Sequence, residues 1–158
     1  MKRDLSLRGH LRKILKWEDA HAGFDAAVKG VSPAMRGIAP KGFPHTPWQL
    51  LEHLRRTQHD ILDFCRNPGY KERAWPADYW PLDAEPPTPK AWQESIAAFR
   101  HDRAALEELA DDESIDLLAH IPHGTGQTYL RELLLVADHT AYHVGQLVAV
   151  RQSLGAWK

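Results

Sequence analysis

His139 and His143 stand four residues apart in the most apolar stretch of the chain. On a helix, at about 100° per residue, their side chains fall about 40° apart and one turn above each other, so the two imidazoles can share one metal ion. Leu135, Val136, Gln146, Leu147 and Val150 lie on the same face, which points the pair inward. An isolated pair of this kind fits a hydrogen bond to a neighbouring helix slightly better than a share in a cation. His53 changes the balance. It borders an apolar stripe of Leu50, Leu54, Ile61 and Phe64, whereas His59 lies roughly 120° round the same helix. His53 can therefore face inward and His59 cannot. Three neutral imidazoles from two helices form a known type of catalytic site for a divalent transition metal, with the remaining positions open to water or substrate. Zinc, nickel, iron and copper all accept such ligands, with zinc and nickel the leading choices.

Other polar groups fall on inward faces. Glu18, His21 and Asp25 share a side with Leu7, Leu11 and Ile14, and Gln146 shares the face of the histidine pair. They are candidates to orient the ligands or line a pocket, or else to hydrogen-bond between helices. None is assigned a catalytic role. His10, His45, His101, His120 and His123 lie at ends, on outer faces or in loops, where solvated histidine is expected, although His123 could edge the pocket mouth. No Ser-His-Asp or Cys-His set is evident. Cys65, at the end of a helix, reads as a buried structural thiol.

Four helical segments must position these residues. The first runs from about Asp4 to Lys29, with Leu7, Leu11, Ile14, Leu15, Ala22 and Val28 at helical intervals. After a loop rich in Gly and Pro, Thr46 caps a second helix with Pro47 at its first position and Gln49 completing a capping box; it runs to Arg66. Asn67-Pro68-Gly69 stops it. A long irregular crossover to Pro89 follows, carrying Trp75, Tyr79 and Trp80, and should fold back near the metal. The third helix ends near Ala110, a loop spans Ser114 to Gln127, and Thr128 caps the fourth helix, which Gly155 closes. The fold class expected is all-α, a four-helix bundle with a long crossover between helices 2 and 3, as one domain over residues 1–158. Trp17 and Phe24 point away from the first helix's apolar stripe, leaving surface that a second copy in a homodimer would cover.

Composition narrows the function. The 20 Lys and Arg against 21 Asp and Glu leave a net charge of -1, which supplies no basic field for nucleic acid or anionic lipid. The apolar run at Leu133 to Ala137 is far short of a membrane span, and a lone cysteine with no apolar leader fits a reducing cytoplasm. The partner expected is a small-molecule substrate, with no nucleic acid and no membrane.

Two segments carry a resemblance. Pro47-Trp48-Gln49-Leu50-Leu51-Glu52-His53-Leu54 and Asp138-His139-Thr140-Ala141-Tyr142-His143-Val144-Gly145-Gln146-Leu147 resemble the DinB/YfiT-like family of metalloenzymes, a DinB-like domain over nearly the whole chain. Gly124-Thr125-Gly126-Gln127-Thr128, Trp75-Pro76 and Tyr79-Trp80-Pro81 are similar to segments of one branch. The resemblance implies one metal held at His53, His139 and His143, frequently in a homodimer. It also implies enzymes that use bacillithiol, mycothiol or glutathione, so a metal-dependent enzyme activating a low-molecular-weight thiol for transfer to a small electrophile is the first expectation. The alternatives are a hydrolase using a metal-bound water, with Glu18, His21 or Asp25 as proton acceptor, and a non-catalytic metal- or ligand-binding stress protein.

Overall fold

A computed structural model describes residues 2–16 and 19–157. It contains α1 (Lys2–Ile14), α2 (Phe24–Val28), a single 3₁₀ turn at Pro33–Met35, α3 (Pro47–Arg66), α4 (Ala91–Asp111) and α5 (Tyr129–Ser153). The described residues form an all-helical bundle in which α3 packs on both α4 and α5, α1 on α4, and the short α2 on α5.

The first helix is the main departure from the sequence expectation. Instead of one element from Asp4 to Lys29, α1 ends at Ile14 and a separate turn of helix, α2, begins at Phe24. The apolar rhythm thins between Leu15 and Phe24, and Gly23, extended at φ -85° and ψ 178°, stands as the cap of α2. Glycine costs about 1 kcal/mol in a helix interior, so a weakly anchored stretch breaks there. The break turns Phe24 inward, where it is 3 % exposed and stacks on Phe99 at 3.8 Å between ring centroids. Phe24 therefore fills the core and offers no surface to a second copy; Trp17 lies outside the described residues. At the other end of α1, the Arg8 guanidinium donates to the carbonyls of Ala110, Asp112 and Ile115, tying α1 to the C-terminus of α4.

The elements that carry the histidines follow the expected pattern. The Thr46 hydroxyl accepts from the Gln49 amide N–H while the Gln49 side chain accepts from the Thr46 N–H, and Pro47 opens α3. Leu50, Leu51 and Leu54 are almost wholly buried, each burial stabilising the fold by about 1.5–3 kcal/mol. Thr128 caps α5 by accepting from the Arg131 N–H, and Gly155 takes the left-handed conformation (φ 68°) that ends it. Residues 114–127 are loop, apart from one bridge between His120 and Thr128. By length and composition α5 alone among the described helices could cross a membrane. Its Leu133, Val136, Val144, Leu147 and Val150 instead join the bundle core.

Apolar packing divides into two clusters. One centres on Phe24, Trp48, Leu54, Trp92, Phe99 and Val144; the other on Leu11, Ile61, Leu106, Leu109 and Val136. His53 lies among the α3 members of the first cluster, between Leu51 and Leu54, and the His139–His143 pair spans the step on α5 from Val136 of the second cluster to Val144 of the first. The site is thus set into the core, between α3 and α5, which pack on each other.

Candidate metal centre

Three imidazoles converge between α3 and α5. The Nε2 of His53 lies 3.1 Å from that of His143 and 3.0 Å from that of His139. All three candidate ligand atoms lie within 4.8 Å of one another. His53 and His143 are buried, at 1 % and 7 % exposed, and His139 is half-buried.

The hydrogen bonds behind the rings decide what these nitrogens can do. His53 Nδ1 donates to the Tyr79 carbonyl at 3.1 Å, and His143 Nδ1 donates to Gln146 Oε1 at 2.7 Å. Each neutral ring carries one N–H, so both Nε2 atoms are then bare lone pairs. Two lone pairs facing each other at 3.1 Å repel, and no proton lies between them to bond. At most His139 can donate to His53. A cation between the three resolves the conflict, and the spacing suits one. Zinc–nitrogen bonds of about 2.0–2.1 Å in a tetrahedron place ligand nitrogens about 3.3–3.4 Å apart. The residues present therefore fit a three-histidine divalent metal site.

Electrostatics point the same way. Burial pushes the His53 pKa down to about 4 and the His139 pKa down to about 3, with the neighbouring imidazoles adding to both shifts. His143 is also lowered by burial, against the opposing pull of its Gln146 bond. All three rings are neutral near pH 7, the form in which histidine binds metal.

Residues 67–90, the connection from α3 to α4, form one wall. Trp80 lies flat on His53 (3.8 Å, 6° between planes), and His45 lies on the other side of Trp80 (3.9 Å, 18°). This stack of His45, Trp80 and His53 fixes the plane of the His53 ring. Trp75 tilts over His53 at 6.4 Å, and Tyr142 meets His143 edge-on at 4.8 Å. Two anchors hold the connection. The Tyr79 hydroxyl donates to the buried Asp60 carboxylate at 2.7 Å, with Tyr70 at 3.2 Å. From the other side, buried Glu52 accepts from Arg55, Arg56 and Ser95, and Arg56 donates to the Trp80 carbonyl at 3.2 Å. Burial alone would raise the Glu52 pKa; Arg55, Ser95 and Arg56 together hold it below the usual carboxylate range.

The other residues singled out from sequence are placed as follows. Gln146 reaches the centre through His143. Asp25 is held by Arg100 at 2.7 Å and Arg103 at 3.0 Å, and His21 bonds only the neighbouring Ala22 carbonyl. Neither makes a hydrogen bond to a triad histidine, because the break after α1 turns them toward α4 and solvent. Glu18 lies outside the described residues. His59 faces away and pairs with Asp102 at 2.9 Å. His123 donates to the Phe64 carbonyl, in a separate polar cleft with Asp60 and Tyr79. Cys65 is buried, its thiol pKa pushed up to about 12 by burial, which suits a structural side chain. Sequence reasoning missed His45. It sits one residue before the Thr46 cap in a proline-bound loop, and no spacing rule links it to α3 or α5.

Residues 16–147 match a family model described as the DinB superfamily. No curated protein and no solved structure matches the chain.

Proposed function

The chain belongs to the DinB superfamily, and on that premise we propose that it is a metal-dependent enzyme that activates a low-molecular-weight thiol for transfer to a small electrophile. The ion is zinc or nickel, held by His53, His139 and His143. The observation that carries the metal is the opposed pair of Nε2 lone pairs on His53 and His143, each fixed by a hydrogen bond at the far side of its ring. When bound, such an ion supplies Lewis acidity, lowering the pKa of a thiol or water that joins it.

The chain's own residues supply the rest. The Tyr79 carbonyl and Gln146 orient two of the histidine rings, and Trp80 holds the plane of His53. The thiol reading is favoured over hydrolysis by what Asp25 and His21 do. Hydrolysis calls for a proton acceptor beside the ion, and of the candidates among the described residues Asp25 is neutralised by two arginines and His21 is turned to its own backbone. A thiol, with a pKa of about 8.5, depends far less on such a base.

Cobalt substitution tests this. Cobalt-loaded protein titrated with glutathione, bacillithiol and mycothiol should show a new near-ultraviolet band and shifted visible bands with one of them. A spectrum unmoved by all three rejects thiol activation while leaving the metal centre standing.

A further inference from the structure

Gly145 sits in the middle of α5, where glycine costs about 1 kcal/mol relative to alanine. Its backbone is ordinary helix, and a Cβ added there would meet nothing within 4 Å. No neighbour among the described residues requires its smallness. The space above it is a concavity of about 350 Å³ walled by Phe43, Pro44 and Leu50 on one side and by Tyr142, Ala149 and Val150 on the other. Besides the Tyr142 hydroxyl, two polar side chains complete the wall. Gln146 also accepts the His143 Nδ1–H, and His45 caps the Trp80–His53 stack. No charged acid or base lines it. The larger cleft of about 790 Å³ beside Trp48 contrasts with it, being lined by Glu52, Arg55, Arg56, Arg73, Asp78 and Glu94.

We propose that this pocket seats the uncharged aryl or branched-alkyl part of the substrate, lying over Gly145 and against Gln146 and His45. Burial of charge in such a wall is unfavourable, so a carboxylate or ammonium is rejected while an apolar group gains from leaving water. His45 has no hydrogen-bond partner among the described residues and is kept neutral by burial, so it, the Gln146 amide and the Tyr142 hydroxyl are the groups able to meet one neutral polar substituent. Contact at Gln146 reaches the centre directly, because the same side chain fixes the His143 ring. The assignment of this ligand as substrate rests on the metal-enzyme reading; the pocket itself does not.

The test uses 4-fluorobenzyl alcohol as probe, followed by fluorine NMR on apo and zinc-loaded protein, with 4-fluorobenzoate as the charged counterpart. Metal stoichiometry is measured separately. The alcohol should bind saturably, and the benzoate about tenfold or more weaker. Gly145→Leu and Ala149→Phe fill the pocket from one helix face and should weaken the alcohol by about tenfold or more, with helical circular dichroism and metal content unchanged. The glycine replacement, at a site of open space, should not lower the melting temperature. Binding by apo protein with no metal uptake would leave the pocket standing and sink the metal reading. Zinc uptake with no probe binding would overturn the pocket and leave the metal reading. If Gly145→Leu instead converts a dimer to a monomer by sedimentation and leaves probe binding unchanged, that helix face is a contact between copies and the proposal fails.

Discussion

Replacing Tyr79 by Phe removes one hydroxyl and tests how the connection holds the His53 ring. The hydroxyl donates at 2.7 Å to Asp60, a carboxylate only 7 % exposed, while the same residue's carbonyl accepts from His53 Nδ1. Phe keeps the ring and the carbonyl and loses the anchor. A buried hydrogen bond to a charged acceptor contributes about 1.5–3 kcal/mol. Asp60 retains Tyr70 at 3.2 Å and Arg73 at 3.4 Å, so a loss of about 2 kcal/mol is expected. For a chain of this size that lowers the melting temperature by about 4–8 °C. A loosened connection also frees the His53 ring, so zinc affinity by chelator competition should fall about tenfold. The pH dependence gives a second reading. Burial and Asp60 raise the phenol pKa of Tyr79 and take that of Tyr70 to about 12, above the ordinary value near 10. Above about pH 10 the unfolded chain releases protons that the folded chain keeps, so stability contributed below that pH is lost as pH rises. Tyr79→Phe lacks one such group, and its deficit against wild type should narrow on going from pH 8 to pH 11. A stability change below about 0.5 kcal/mol with unaltered zinc affinity would refute the anchoring role.

Further expectations concern the core and its thiol. Phe99→Ala, at a ring 0 % exposed and stacked on Phe24, should cost about 3–5 kcal/mol in urea denaturation; a cost under 1 kcal/mol would show that α2 does not dock as described. Cys65, with its pKa pushed up to about 12, should resist a disulfide reagent at pH 8 in native protein and react once unfolded, and rapid native labelling would contradict its burial. Trp80→Ala removes the ring between His45 and His53 and should weaken zinc binding about tenfold with helix content unchanged; unaltered affinity would mean that the stack does not position His53.

Much of the site was legible in the chain because helical periodicity is a local property. The four-residue step from His139 to His143 and the phase of His53 on its stripe are enough to turn three rings inward. The Thr46–Gln49 box marks where that phase begins. Side chains whose neighbours are set by tertiary contact were not legible. Glu18, His21 and Asp25 were grouped by extending one helical phase across a segment that breaks, and two charged partners on α4 claim Asp25. His45 reaches the centre only because the connection after α3 lays Trp80 between it and His53. The aromatic content of that connection predicted that it would pack, but the pairing of Tyr79 with both Asp60 and His53 depends on its path through space.

Metal content decides the central claim. Tag-free wild-type protein, loaded with zinc or nickel and desalted, should retain about one equivalent per chain by elemental analysis. His53→Ala, His139→Ala and His143→Ala should each lose most of it, while His59→Ala, whose ring pairs with Asp102, should keep the wild-type amount. Equal metal in wild type and all three triad variants, or none in wild type, would contradict the three-histidine centre.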